Sequence, residues 1–199
     1  MINNLIYMKN FWDKNVLENE DYKDYKNAQI KRCIAKIYKQ RNEVYYEEVS
    51  NKIKQNKNLM NSMQMICMGS RNNWEKICFK KFLNRRYIYD LDICPQSKCD
   101  YTYDFQKLPE SFIDKWDIIF TNSLDHSIDA EYTINHWYPF LKEDGLLIIG
   151  YEVDFQTPDA NDCTTFTKKS IMELVEKKYS IIENSTDCSQ YFHLLLKKK

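Results

Sequence analysis

The densest group of polar side chains follows the apolar run Trp116–Thr121 and includes Asn122, Asp125 and His126. Loops in such a position commonly carry function. An unperturbed histidine has a pKa of about 6.5, so it can take a proton from a hydroxyl group at neutral pH. We therefore predict that His126 is a general base and that Asp125 orients it or acts itself. His136, on the following helix, is predicted to be a packed or surface histidine.

A glycine loop follows the apolar run 63–68. Gly69 lets the backbone approach a ligand closely, and a helix predicted to begin near Asn73 points its free amide groups at the same place. The loop contains one glycine and therefore matches the G-x-G-x-x-G dinucleotide fingerprint poorly. A cofactor without phosphate groups needs the close backbone approach less than a pyrophosphate does.

Acidic residues follow the next two apolar runs. Asp92 lies about 20 residues beyond the glycine loop, where a carboxylate can accept hydrogen bonds from both hydroxyls of a ribose. Asp90 is the alternative, because sequence locates the end of a strand only to within a residue or two. Asp104 can accept a hydrogen bond from an adenine amine, and Phe105 beside it can stack on the adenine ring.

Short apolar runs alternate with helical stretches from residue 63 onward. This alternation predicts an α/β fold with a mainly parallel sheet, in which ligands bind beyond the carboxyl ends of the strands. The last two strands are joined by a polar turn at 184–189, which predicts a terminal antiparallel hairpin. The predicted strands are 63–68, 87–91, 99–103, Trp116–Thr121, 146–151, 180–183 and 190–196, and the predicted helices are Trp74–Leu83, 130–141 and 168–178.

Residues 1–58 are predicted to form an N-terminal helical extension to a domain at 59–199. A long helix and a shorter one are indicated, each with one buried face. The face of the first is predicted from Ala28, Ile30, Ile34, Ile37, Tyr38 and Arg41, and that of the second from Tyr45, Val49 and Ile53. The extension is expected only to cover the sheet. The alternative is that the extreme N-terminus, with Leu5, Ile6, Phe11 and Trp12, packs on the domain as a lid or latch.

Composition argues against several classes of protein. The 199 residues carry a formal net charge of +0, which gives no general attraction to nucleic acid. No apolar stretch approaches the roughly 20 residues of a membrane helix, and the N-terminus lacks the basic start of a signal peptide. We therefore expect a cytoplasmic protein without membrane association.

The seven cysteines are scattered, which indicates reduced thiols. Cys94 and Cys99 form the closest pair, but no second pair or spaced histidines complete a zinc set. Asp125 and Asn122 alone would give a divalent ion two oxygen ligands without a clear third. The sequence therefore predicts no metal site.

The ordered set of four loops resembles the class I S-adenosylmethionine-dependent methyltransferases over roughly residues 63–154. Leu-Lys-Glu-Asp-Gly-Leu-Leu-Ile-Ile-Gly at 141–150 looks like the family's turn and fifth strand. The loop after the first strand departs from the usual E/D-x-G-x-G-x-G signature and looks like a Gly-x-Arg-x-x-x-Glu variant, in which Arg71 or Glu75 holds the methionine part. The resemblance implies a Rossmann-like fold and a cofactor site formed by Gly69, Ser70, Arg71, Glu75, Asp92, Ile93, Asp104, Phe105, Asn122 and Ser123.

The resemblance implies transfer of a methyl group from S-adenosyl-L-methionine, with His126 and Asp125 assisting proton removal. An Asn-Pro-Pro-Tyr-like loop, which would suggest base methylation, is replaced by Asn122-Ser123-Leu124-Asp125. A small hydroxylated molecule or a sugar is therefore the expected acceptor. The alternatives are a non-catalytic, methyltransferase-like partner subunit and an NAD-dependent oxidoreductase. A homodimer through the N-terminal helices is a further expectation.

Overall fold

The computed structural model describes residues 20–38, 41–56, 61–152, 163, 166–188 and 191–199. Two helices, α1 (Glu20–Ala35) and α2 (Glu43–Asn56), precede the sheet. The strands are β1 (Met65–Met68), β2 (Ile88–Asp92), β3 (Tyr101–Thr102), β4 (Trp116–Thr121), β5 (Leu141–Glu152), β6 (Tyr179–Cys188) and β7 (Tyr191–Lys198). The helices among them are α3 (Trp74–Leu83), α4 (Ala130–Trp137) and α5 (Lys168–Val175), with 3₁₀ turns at Glu110–Phe112, Leu124–His126 and Tyr138–Phe140.

The strands form one sheet in the order β3-β2-β1-β4-β5-β7-β6. Neighbouring strands from β3 to β5 are parallel, whereas β7 pairs antiparallel with both β5 and β6. This confirms the predicted mainly parallel sheet with a terminal antiparallel hairpin. The chain leaves β1 toward β2 on one side and returns to β4 on the other, so the topological switch point lies between β1 and β4.

Alternate residues of each strand enter two separate cores, because successive side chains point to opposite faces of a sheet. Met65 and Cys67 of β1 pack with α2 and α3 on one face. Ile66 and Met68 face the opposite core, which includes Trp137 of α4 and is covered by α4 and α5. The parallel strands are therefore buried on both sides, as an α/β sheet requires.

Several predicted boundaries were wrong: β1 begins two residues later than predicted, β3 is limited to Tyr101–Thr102, and α5 ends at Val175. The helix predicted over 130–141 ends at Trp137, because Pro139 has no N–H to continue the helix and lies in the 3₁₀ turn Tyr138–Phe140. Strand β5 accordingly begins at Leu141. The polar turn predicted at 184–189 is strand up to Cys188, and register shifts between Ser185 and Cys188 accommodate it in the ladder.

The two N-terminal helices agree with their predicted faces to different degrees. Tyr45, Val49 and Ile53 of α2 are buried, which confirms that face. The predicted face of α1 was wrong at its C-terminal end, since Ile34 is 48% exposed and Tyr38, just beyond the helix, 94% exposed. The residues of α1 that are buried instead are Gln29 and Cys33. The predicted lid residues Leu5, Ile6, Phe11 and Trp12 lie outside the described residues.

Within the described ranges, no helix combines the length and the apolar character that crossing a bilayer requires.

Candidate cofactor site

A cavity of about 40 Å³ lies beyond the carboxyl ends of β1, β2 and β4, beneath α1. Eight of the residues that the sequence predicted for the site line this cavity: Gly69, Arg71, Asp92, Ile93, Asp104, Phe105, Ser123 and His126. Four residues of α1 complete its wall: Tyr25, Gln29, Arg32 and Cys33. The structure thus brings together loops that are separated by more than 50 positions in the sequence, at the switch point of the sheet.

Gly69 joins the loop after β1 to the loop after β4. Its φ of +75° is a conformation that residues with a side chain rarely adopt, and a Cβ atom there would lie 2.7 Å from the Cβ of Ser123. The hydroxyl of Ser123 donates to the carbonyl of Gly69 over 3.2 Å. The amides of Gly69 and Ser70 both donate to the carbonyl of Leu91, each over 3.0 Å. Only glycine fits this close meeting of three strands' ends.

Asp92 is held in place by two backbone amides. Its Oδ2 accepts from the Arg71 N–H over 2.9 Å, and its Oδ1 accepts from the Cys94 N–H over 2.8 Å. Burial raises the pKa of Asp92, although these amide hydrogen bonds and the Arg71 guanidinium lower it. Each carboxylate oxygen has a second lone pair, so Asp92 can still accept hydrogen bonds from a ligand.

Asp90, the alternative ribose-binding acid, is bound by partners within the protein. Its Oδ1 lies 2.8 Å from the Lys76 Nζ and also accepts from the Asp100 amide over 2.9 Å. Its side chain is fully buried, and it does not line the cavity. The structure therefore favours Asp92 over Asp90 as the candidate.

Glu75, Ser70 and Asn122 form a polar cluster that does not line the cavity. The Ser70 hydroxyl donates to Oε2 of Glu75, and the side-chain amide of Asn122 donates to Oε1 over 3.1 Å. Burial raises the pKa of Glu75, and the two hydrogen bonds oppose that effect. The cluster ties the loops after β1 and β4 together, and its predicted contact with a cofactor stays a prediction.

Asp104 accepts hydrogen bonds from within the protein on both oxygens. Oδ1 accepts from the Gln106 amide over 2.9 Å, and Oδ2 accepts from the Tyr22 hydroxyl of α1 over 2.7 Å. The Lys107 ammonium lies 3.5 Å from the centre of the Tyr22 ring. Tyr22 thus uses one oxygen of the carboxylate that the sequence predicted to accept a hydrogen bond from an adenine amine.

The two predicted catalytic residues differ in position. His126 lines the cavity, and its carbonyl accepts a hydrogen bond from the Tyr25 hydroxyl over 2.9 Å. Asp125 precedes it in the same 3₁₀ turn but does not line the cavity. Their proposed acid–base roles stay predictions.

The prediction that His136 is a packed histidine is confirmed. Its Nε2 accepts the Leu108 amide over 3.1 Å, and its ring stacks on Tyr132 and meets Phe140 edge-on. Burial lowers the pKa of His136 from 6.5, although the nearby Asp104 carboxylate opposes this effect. The ring supports the segment that carries Asp104 and Phe105, from outside the cavity.

Helix α1 is the part of the site that sequence reasoning missed. The Tyr25 hydroxyl also accepts from Nε2 of Gln106 over 2.9 Å, so it bridges two loops of the site. The loop after β1 is attached to the chain between α1 and α2, since the side-chain amide of Asn72 donates to the Ile37 carbonyl over 2.8 Å. A signal was present in the polar and aromatic residues Tyr22, Tyr25 and Gln29, but apolar periodicity does not detect it.

No family model matches the sequence, and no curated protein matches it. Solved structures do match: a SAM-dependent methyltransferase from Aquifex aeolicus is 10% identical with a TM-score of 0.58, covering 80% of this chain and 100% of its own. The 1,6-didemethyltoxoflavin-N1-methyltransferase from Burkholderia thailandensis, solved with S-adenosylhomocysteine, is 11% identical with a TM-score of 0.59, covering 79% and 78%. The (4+2)-cyclase SpnF is 10% identical with a TM-score of 0.61, covering 76% and 80%.

These comparisons define the fold as the Rossmann-like fold of the class I S-adenosylmethionine-dependent methyltransferases. At about 10% identity they show the fold alone. Because the similar structures include a cyclase as well as methyltransferases, the reaction has to be argued from the site.

Proposed function

We propose that this protein binds S-adenosyl-L-methionine at the cavity beneath α1 and transfers its methyl group to a small hydroxylated molecule or a sugar. The observation that carries the proposal is the meeting of Gly69, Asp92, Asp104 and Ser123 at the switch point of a methyltransferase fold. Open α/β sheets bind their ligands at this place.

The residues of the cavity fit the cofactor by chemistry. Asp92 offers carboxylate lone pairs for ribose hydroxyls, and Asp104 with Phe105 offers an acceptor and a ring for adenine. Gly69 provides a cradle that a Cβ atom would fill. Arg71 lines the same cavity and can pair with the carboxylate of the methionine part.

The cavity is too small for the cofactor while α1 is in the described position. Pockets for cofactors and other small molecules commonly have volumes of about 300–1,000 Å³, whereas this cavity has about 40 Å³. The Tyr22 hydroxyl also occupies Asp104. Cofactor binding therefore requires α1 to move away from Asp104, which breaks three hydrogen bonds of the Tyr22 and Tyr25 hydroxyls and leaves the sheet unchanged.

When bound, S-adenosylmethionine supplies a methyl group that is already activated on a sulfonium. The protein then has to hold the acceptor in line and remove the proton of its hydroxyl group. His126 lines the cavity and is the proposed proton acceptor, and Asp125 beside it is its proposed assistant. The zero net charge and the absence of the base-methylation loop support a small hydroxylated acceptor over nucleic acid.

Calorimetric titration of the cofactor-stripped protein with S-adenosylmethionine, S-adenosylhomocysteine and NAD tests the proposal. We expect the first two to bind and Asp92→Ala to weaken their affinity about 10- to 100-fold, because hydrogen bonds to a charged group are lost. Glu143→Ala, an exposed carboxylate near the start of β5, is the control and should bind unchanged. Binding of NAD alone would move the protein to the oxidoreductases, and unchanged affinity in Asp92→Ala would remove Asp92 from the site.

Turnover is tested separately with His126→Ala and a panel of sugars and small hydroxylated compounds. We expect this variant to lose about 10²–10⁴-fold in turnover, the usual contribution of a general base, with little change in cofactor affinity. A parallel loss of both would assign His126 to cofactor binding or to structure.

The second candidate function is a non-catalytic partner subunit, which is favoured by one observation: with α1 in its wall, the cavity has a volume of only about 40 Å³. In that case the cofactor binds without turnover of any acceptor, or does not bind. Methyl transfer to any acceptor eliminates this alternative.

A further inference from the structure

Three potential metal ligands meet where α1 rests on the loop after β2. One ligand atom each from Cys33, Asp92 and Cys94 lies within 4.8 Å of the other two. Cys33 is 5% exposed, Asp92 7% and Cys94 0%. The fold brings these two thiols and one carboxyl group together from segments about 60 residues apart in sequence. Because all three are buried, they form a set of potential metal ligands and not a cluster of acids on the surface.

We propose that Cys33, Asp92 and Cys94 bind a thiophilic divalent metal ion such as zinc, which fastens α1 over the cavity. Cysteine sulfur and carboxylate oxygen are both common zinc ligands. Two sulfur ligands select against magnesium and calcium, which bind oxygen. The site requires nothing of the proposed methyl transfer, because all three ligands belong to this chain in the described position of α1.

The donor set leaves one coordination position open. Zinc prefers four ligands in a tetrahedral arrangement, and sites with three protein ligands take a water molecule as the fourth. Cys33 and Asp92 both line the cavity of about 40 Å³, and a water molecule needs only about 10–15 Å³ of such volume. The fourth ligand can therefore be supplied from the cavity without displacing a side chain.

The surroundings orient the carboxylate and balance the charge. The amides of Arg71 and Cys94 fix the two oxygens of Asp92, as hydrogen bonds behind a metal ligand commonly do. Two thiolates, one carboxylate and a divalent cation leave a charge of −1. Arg32 and Arg71, which line the same cavity, can offset this charge.

Metal and cofactor would use the same Asp92. An ion bound by this carboxylate, and by Cys33 on α1, holds the helix in the position that leaves too little room for the cofactor. The binding of the metal does not depend on the proposed function, but its inhibitory role rests on it: the ion belongs to the state in which α1 is closed and the cofactor is excluded.

The test uses the reduced, chelator-treated full chain titrated with Co²⁺ and then Zn²⁺, without cofactor. We expect one Co²⁺ per chain with thiolate-to-cobalt absorption and the visible bands of tetrahedral cobalt, which one equivalent of Zn²⁺ abolishes. Cys33→Ala and Cys94→Ala should each lose about 100-fold in affinity, since each removes one of three protein ligands. Cys78→Ala removes a buried cysteine outside the cluster and should bind like the unaltered protein.

Protection from alkylation, measured by mass spectrometry on the unaltered protein, keeps the test valid if a variant fails to fold. Because Cys33 and Cys94 are buried, their alkylation is followed at exposure times long enough for both to react in the metal-free protein. Zinc should slow this reaction and leave the modification of Cys99 and Cys163 unchanged. The proposal is overturned if cobalt gives no thiolate absorption, if Cys78→Ala lowers affinity as much as the two ligand variants, or if zinc protects neither Cys33 nor Cys94.

Discussion

Helices α1 and α2 are neighbours in sequence but are attached to the sheet in opposite ways. Tyr46, Val49 and Ile53 of α2 are at most 1% exposed and belong to the core beneath them. Helix α1 instead rests on the carboxyl edge of the sheet through the hydroxyl groups of Tyr22 and Tyr25. One helix is therefore part of a core, and the other is a cover that polar bonds hold over a cavity.

This difference predicts different stabilities. Burial of large apolar side chains stabilises α2 by several kcal/mol, at about 1.5–3 kcal/mol for each fully buried side chain. A hydrogen bond such as those of Tyr22 and Tyr25 contributes about 1 kcal/mol net, because water replaces it when the helix leaves. Segments with few apolar contacts open at lower free energy than the core does. We therefore expect α1 to open while α2 and the sheet stay folded.

The largest effect that separates the two helices is expected from isoleucine substitutions. Ile53→Ala in α2 should lower the free energy of unfolding by about 2–5 kcal/mol, because it leaves a cavity in the core. Ile34→Ala in α1 should change it by less than about 0.5 kcal/mol, since this side chain is 48% exposed. Urea unfolding of both variants measures the difference. Equal losses would mean that α1 is also part of the core.

The sequence predicted which face of α2 is buried but not where α1 contacts the sheet, and the reason is physical. Tyr45, Val49 and Ile53 recur every four residues, and the helix buries this apolar face as the pattern indicates. In α1 the pattern selected Ile34, which is largely exposed, whereas Gln29 and Cys33 are buried. Apolar periodicity reports contact with a core, so it does not detect a helix face that rests on a polar edge.

The end of the sheet shows the same limit. The antiparallel hairpin of β6 and β7 was predicted from its two apolar runs, but the position of β7 between β5 and β6 was not. The polar residues 184–188 read as a turn, yet they extend β6 at the edge of the sheet. Edge strands tolerate polar residues because one side has no partner strand, so polarity alone does not mark a turn there.

The second prediction concerns helix α1, through its residue Tyr22. Tyr22→Phe removes the hydroxyl that occupies Asp104, and the affinity for S-adenosylhomocysteine should rise about fivefold, which corresponds to one hydrogen bond of about 1 kcal/mol. Calorimetry in the presence of a chelator measures this effect without interference from metal. Tyr38→Phe is the matched control, because Tyr38 lies just beyond the same helix and is 94% exposed. Weaker binding in Tyr22→Phe would show that α1 closes on the cofactor instead of excluding it.

The residues around the cavity were predictable where each follows a strand. Gly69, Asp92, Asp104 and Ser123 lie at or just beyond the carboxyl ends of β1, β2, β3 and β4, and the rule that parallel strands present these ends at one edge brings them together. Cys33 was not predictable, because its place beside Asp92 depends on how α1 lies across that edge. In the sequence the cysteine nearest to Cys94 is Cys99, five positions away, whereas the fold brings Cys94 together with Cys33.

The smallest expected effect concerns His136, which supports the segment that carries Asp104, on which α1 rests. His136 accepts the Leu108 amide as a neutral ring, and burial keeps its pKa below 6.5. Just below pH 6.5 the unfolded chain therefore binds more protons than the folded protein, so stability is present above this pH and is lost as the pH falls toward the folded-state pKa. Urea unfolding between about pH 5 and 8 should show this loss in the unaltered protein.

His136→Gln isolates that contribution, because a glutamine oxygen can accept the Leu108 amide but does not titrate. We expect the fall in stability below pH 6.5 to be shallower in the variant than in the unaltered protein, with little difference between them at pH 8. His193 of the sheet packs edge-on against Tyr45 of α2, so the difference between the two proteins, and not the pH dependence of the unaltered protein alone, reports on His136. Identical pH slopes in the two proteins would show that His136 does not couple protonation to the stability of this support.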